Sequence, residues 1–152
     1  MKELEEIYNK INNLNYLLDR KIEILSIILN VTKSQGIVFK EQEGIDSFIN
    51  MSINEKQSLI NELISIDEMF LNIFESFKGA LNRNKNIFKE DIRQIQNKIQ
   101  KIADMDINIR LQEEKNKQLV NNNIALSSKN KVKTLKVSKD EMLKKYINNT
   151  KK

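Results

Sequence analysis

The chain has 152 residues and a formal charge of +5, with 39% hydrophobic and 31% charged residues, three Gly, and no Pro, Cys or His. Its length suits about one domain. The missing residue types exclude a disulfide framework, a Cys- or His-based zinc site, a thiol nucleophile and an imidazole general base.

Carboxylates remain, but acid–base work needs two of them in a pocket that separates their pKa values, and no local pattern marks such a pair. The sequence therefore predicts a protein that is not an enzyme, with no catalytic residue, no cofactor and no metal. Pro breaks helix interiors and Gly weakens them by roughly 1 kcal/mol, so their scarcity leaves long helices uninterrupted. Strand-rich domains need many Gly- and Pro-bearing turns, which this chain cannot supply. The fold class expected is all-α: an elongated antiparallel hairpin or bundle of about three long helices, with a basic, partly flexible C-terminal tail. Met1-Lys2-Glu3-Leu4-Glu5-Glu6 is acidic and amphipathic, unlike a secretory signal. No apolar run approaches the ~20 residues of a membrane span, since Ile22 to Val31 is interrupted by Glu23, Ser26 and Asn30. A cytoplasmic protein without membrane insertion is expected.

The first helix is predicted over about residues 2–34, where Leu4, Ile7, Ile11, Leu14, Leu18, Leu25 and Ile28 share one face. Tyr8, Leu17, Ile24 and Val31 widen that stripe, so it should meet more than one helix. Gly36 suits the left-handed position after a helix C-terminus. Ile37, Val38 and Phe39 then read as a short apolar connector.

A second helix is predicted over about residues 45–79, opened by Asp46 or Ser47 as cap. Ile45, Phe48, Ile49, Ile53, Leu59, Ile60, Leu63, Ile64, Met69, Phe70, Ile73, Phe74 and Phe77 recur at helical spacing. Four of the six Phe lie here, and the C-terminal half should be the best-packed part of the protein. Gly79, with Asn82, Asn84 and Asn86 behind it, marks a break between Lys78 and Arg83; one continuous bent helix is the alternative.

The third helix is predicted over about residues 86–126. Phe88, Ile92, Ile95, Ile99, Ile102 and Ile109 follow heptad spacing, which suits knobs-into-holes packing or a coiled coil. Asp106 occupies the missing position, either as a solvent-facing residue on a drifting stripe or as a buried group that sets register. Gln112 to Gln118 is polar and should be poorly supported by packing. The bundle is thus expected over residues 1–128 and the tail over 129–152. Between Lys129 and Lys152 nine Lys face Asp140 and Glu141, so the tail carries +7 and the remainder −2. Such a stretch is ordinarily a solvated end. With Tyr146 as its lone aromatic it lacks the stacking partners of a nucleic-acid site.

Leu119, Val120, Ile124, Leu126, Val132, Leu135, Val137, Met142, Leu143 and Ile147 have no evident place in a three-helix core. They are candidates for a partner-binding face that orders on contact, and packing within the chain is the other option.

Several stretches together resemble a known family. Gly44-Ile45-Asp46 with Phe48-Ile49, then Asn54-Glu55-Lys56-Gln57-Ser58-Leu59-Ile60 and Ser65-Ile66-Asp67, are similar to flagellar export chaperones of the FlgN family. Upstream, Leu29 and Thr32-Lys33-Ser34-Gln35 fit that family's first helix. Downstream, Asp104-Met105-Asp106, Glu113-Glu114-Lys115-Asn116 and a basic tail with one Tyr are similar too. The resemblance implies a small cytoplasmic helical chaperone. It would bind the amphipathic terminal helices of hook-filament junction (hook-associated) proteins and guide them to the flagellar type III export gate. It also implies client contact through the C-terminal region, with Tyr146 the position that could match a gate-docking tyrosine. A FliT-like chaperone shares the pattern. A structural coiled-coil or adaptor protein, a homodimer included, stays open on the heptads, and a nucleic-acid-associated protein stays open on the tail.

Overall fold

The computed structural model describes residues 2–41, 45–130 and 147, with side chains for 2–40, 48–123 and 147. It is all-α: α1 spans Lys2–Glu41, α2 Ile45–Arg83 and α3 Lys89–Asn130. There is no strand among the described residues. The chain divides into two compact units. Unit 1 holds α1 up to Ser26 together with Ile60–Asp106, and unit 2 holds Ile27–Leu59 together with the chain from Ile107 onward.

In unit 1 the expected α1 stripe is the core. Ile7, Ile11, Leu14 and Leu18 are buried with Phe77 and Leu81 of α2, Phe88 of the connecting turn and Ile95 of α3. Around them pack Leu4, Phe70, Ile73, Phe74, Ala80, Ile92 and Ile102. Cross-helix ion pairs fix the direction of α2 against α1. Arg83 meets Glu3 at 3.0 Å, Glu62 meets Arg20 at 2.9 Å and Asp67 meets Lys21 at 2.7 Å. The start of α1 meets the end of α2, and Arg20 and Lys21 further along α1 meet positions earlier in α2, which is an antiparallel pairing. Lys98 of α3 reaches Asp19 of α1 at 2.9 Å.

In unit 2 the apolar core is smaller: Phe39, Ile49, Ile53 and Val120, with Val38, Phe48, Leu119 and Ile147 packed against it.

The element boundaries correct several expectations. Gly36 does not end α1, which continues through Ile37, Val38 and Phe39 to Glu41. The supposed connector is helical, and Phe39 is fully buried. Gly36 serves a close approach: a Cβ there would lie 2.5 Å from the Asn116 side-chain oxygen. α2 begins at Ile45, so Asp46 sits inside its first turn and not ahead of it. α2 runs past Gly79 and ends at Arg83, the far edge of the interval expected for the break, and Asn84 follows it. The Asn84 side-chain amide donates to the Ala80 carbonyl at 2.8 Å, and its backbone N–H donates to Leu81 O at 3.1 Å. An Asn that satisfies the last carbonyls in this way competes with another helical turn. α3 starts at Lys89, later than expected, and passes the expected boundary at 128 to reach Asn130.

Packing density also departs from expectation. The largest fully buried side chains lie on α1 and in unit 2, and none lies in the C-terminal half of α2. There Phe70, Ile73 and Phe74 are only half-buried. With three helices to share the work, a wide apolar stripe on an outer helix has too few neighbours to cover it. Asp106 is half-buried, between the two states the heptads allowed.

α1 carries an 18-residue window of mean hydropathy 1.3, so by length and composition it is long and apolar enough to cross a membrane. That differs from the expectation drawn from unbroken apolar runs, because a window average tolerates isolated polar residues. Ile7, Ile11, Leu14 and Leu18 of α1 are spent on the core of unit 1.

Candidate partner-binding surface

The C-terminal half of α2 sets Phe70, Phe74, Phe77 and Leu81 on one face through steps of four, three and four residues. Phe77 and Leu81 are buried under α1, whereas Phe70 and Phe74 stay half-open. The rings interlock: Phe70 and Phe74 lie 6.5 Å apart and nearly parallel, and Phe74 meets Phe77 edge-on at 6.4 Å. Across from them, α3 presents Ile92, Ile95 and Ile99. Ile95 is buried and Ile99 is 46% exposed.

With Leu14 of α1, these side chains line an open groove of about 530 Å³ in unit 1. Its polar edge is formed by Lys78, Asn82, Lys85 and Gln96. Lys78 is paired with Glu75 at 2.6 Å. Nothing in the lining provides an acid–base pair, and among the described residues no group of three or more His, Cys, Asp or Glu could hold a metal. What such a surface can do is cover apolar side chains presented at helical spacing.

The residues picked out from the sequence fall elsewhere. Val120 is fully buried and Leu119 half-buried, both in the apolar cluster of unit 2, so the expectation that they lack a home in the core is corrected. Ile147 also packs on that cluster. Ile124 and Leu126 lie on the described backbone of α3, without described side chains. Val132, Leu135, Val137, Met142, Leu143 and Tyr146 lie outside the described residues.

Beside the unit 2 cluster stands a polar layer that the sequence did not reveal. Lys56 of α2 is ion-paired with Glu113 of α3, with side chains only 5% and 16% exposed. The Lys56 ammonium also donates to the Gln35 side-chain oxygen at 3.1 Å, and the Gln35 amide donates to the Ser52 hydroxyl at 2.8 Å. Asn116 donates to the Thr32 carbonyl at 2.8 Å, and Asn123 donates to the Phe39 carbonyl at 2.9 Å. Thr32 returns its hydroxyl to Ile28 O at 2.7 Å. Burial lowers the Lys56 pKa from its usual value, and the charge of Glu113 partly opposes that shift. Every helix contributes a buried polar side chain, which is affordable only because each finds a partner.

The groove had a visible precursor in the Phe spacing of α2. The polar layer had none, because Gln112 to Gln118 reads as a solvated helix face until Thr32 and Lys56 are known to lie against it. No protein-family model, no curated protein and no solved structure matches the chain.

Proposed function

We propose that the chain is a helix-binding chaperone of the flagellar type III export kind. It acts in the cytoplasm without catalysis and covers an amphipathic helix of a hook-filament junction protein before export. Two things support the reading: the FlgN-like stretches of sequence, and the groove of unit 1. The groove is the observation that carries it. Half-buried Phe70 and Phe74 and the exposed Ile99 are apolar groups that the three helices leave uncovered. A partner helix would complete the packing that three helices leave unfinished, and the basic segment with Tyr146 is left for the export gate.

The test is co-purification of the full chain from its native organism. Recovery of a hook-filament junction protein is the expected result. Recovery of ribosomes or DNA without any such client overturns the assignment. A chain ending at Ser128 should keep its client, because the groove lies wholly within unit 1. Loss of the client from a folded, shortened chain would place the site in the C-terminal segment.

A further inference from the structure

We infer that the groove of unit 1 selects an acidic amphipathic helix, with the partner's apolar stripe on Phe70, Phe74 and Ile99 and its carboxylates beside Lys78 and Lys85. The inference rests on the helix-binding reading above and adds the chemistry of the partner.

Charge around the groove carries it. Two of the residues that line the groove are charged, Lys78 and Lys85, and both are cations, whereas residues 1–128 as a whole carry −2. The polar edge is therefore positive on a slightly acidic body. Lys78 already has Glu75, but Lys85 makes no ion pair with a described residue, and it lines the groove directly. A cation at the edge of an apolar surface acts through a lower effective dielectric than bulk water, so it discriminates the sign of an arriving charge.

The same rule decides between occupants. The chain's own segment from Lys129 to Lys152 has nine Lys against two acids and would bring like charge to Lys78 and Lys85. A second copy seated groove to groove about a two-fold axis would set the same lysines against each other. A helix of another protein, with apolar residues at i, i+3, i+4 and i+7 and Asp or Glu flanking them, meets both the floor and the rim.

The experiment titrates the full chain with two synthetic helical peptides that share one apolar stripe and carry either Glu or Lys on its flanks. Fluorescence anisotropy gives the affinities, and circular dichroism checks that each variant stays folded. The Glu peptide should bind roughly tenfold more tightly than the Lys peptide, with the gap narrowing as salt rises. The double variant Lys78→Glu/Lys85→Glu should invert the preference. Ile99→Asp, at an exposed position, should weaken the Glu peptide by about tenfold. Equal affinity for both peptides overturns the inference, as does a preference untouched by Lys78→Glu/Lys85→Glu. A clear Glu preference alongside co-purification that yields no flagellar protein sustains the groove and removes the export role. A flagellar client recovered by a protein indifferent to peptide charge does the reverse.

Discussion

Unit 1 and unit 2 are assembled from the same three helices but solve opposite problems. Unit 1 closes around aliphatic and aromatic side chains from every helix and keeps its charges outside, as in the pairs Arg20–Glu62 and Lys21–Asp67. Its apolar material exceeds what three helices can cover, and the excess lines the groove. Unit 2 has a small apolar cluster and fills much of the remaining interior with Thr32, Gln35, Ser52, Lys56, Asn116 and Asn123. Apolar contact is non-directional and tolerates an added partner. A satisfied polar layer is directional: shifting one helix by a single residue strands several buried donors at once. On the proposed reading, unit 1 is suited to adaptable binding, while the polar layer of unit 2 holds a fixed register.

The largest effect should come from removing one member of the buried ion pair. Lys56→Met leaves the Glu113 carboxylate without its partner in a largely buried place, at a cost of about 3 kcal/mol in chemical denaturation. Lys56→Met/Glu113→Leu should recover most of that loss, but not the part due to the Gln35 oxygen, which loses a donor in both variants. If the single and double variants unfold alike, the stranded carboxylate is not what unit 2 is sensitive to.

Gly36→Ala sharpens the same contrast. In an ordinary helix interior Ala is better than Gly by roughly 1 kcal/mol. Here the new methyl would meet Asn116 Oδ1, whose side chain is held by its bond to Thr32 O and by the Gln112 amide donating at 3.0 Å. The expected outcome is a loss of ~1–3 kcal/mol, read from the shift in the unfolding midpoint. Gly79→Ala is the control, because only an Arg83 side-chain nitrogen lies near its added Cβ, at 3.6 Å. It should be neutral or stabilising.

A smaller effect is expected from pH. The folded-state pKa of Lys56 lies below its ordinary 10.5 because burial disfavours the charged form. As pH rises through that lowered value toward 10.5, the unfolded chain holds more protons than the folded one, so stability rises over this window. The difference between the native chain and Lys56→Met/Glu113→Leu isolates the contribution. A difference that stays flat or falls with pH would contradict a desolvated Lys56. The least effect of all belongs to Arg20→Ala, whose loss of Glu62 on a solvated face should leave the midpoint of unfolding almost unmoved.

Legibility in the sequence divides along the same line. Apolar periodicity identified Ile7, Ile11, Leu14, Leu18, Leu25 and Ile28, all of them buried. It worked because burial of a helix stripe depends on spacing along one helix. Three helices and the absence of strands among the described residues followed from the scarcity of Gly and Pro. What failed was whatever depended on a neighbour far away in the chain. Gly36 reads as a stop by local rules, and only the nearness of Asn116 gives a Gly a reason to stand inside the helix. Leu119 and Val120 read as surplus because the apolar side chains they pack against, Phe39, Ile49 and Ile53, lie far away in the chain. Asn116 is fully buried, yet its partner Thr32 is 84 residues distant, and no local pattern records such a pairing. The groove was half legible: the Phe spacing was visible, but its incomplete covering was not.

The most direct measurement is site-specific photocrosslinking in the native organism, with the captured peptide identified by mass spectrometry. A photoreactive residue replaces Ile99 at the groove in one strain and Met51, which is 69% exposed in unit 2, in another. The expected result is a crosslink from position 99 to an acidic amphipathic helix of a hook-filament junction protein, with none from position 51. Client crosslinks from position 51 and none from position 99 would contradict helix capture by unit 1.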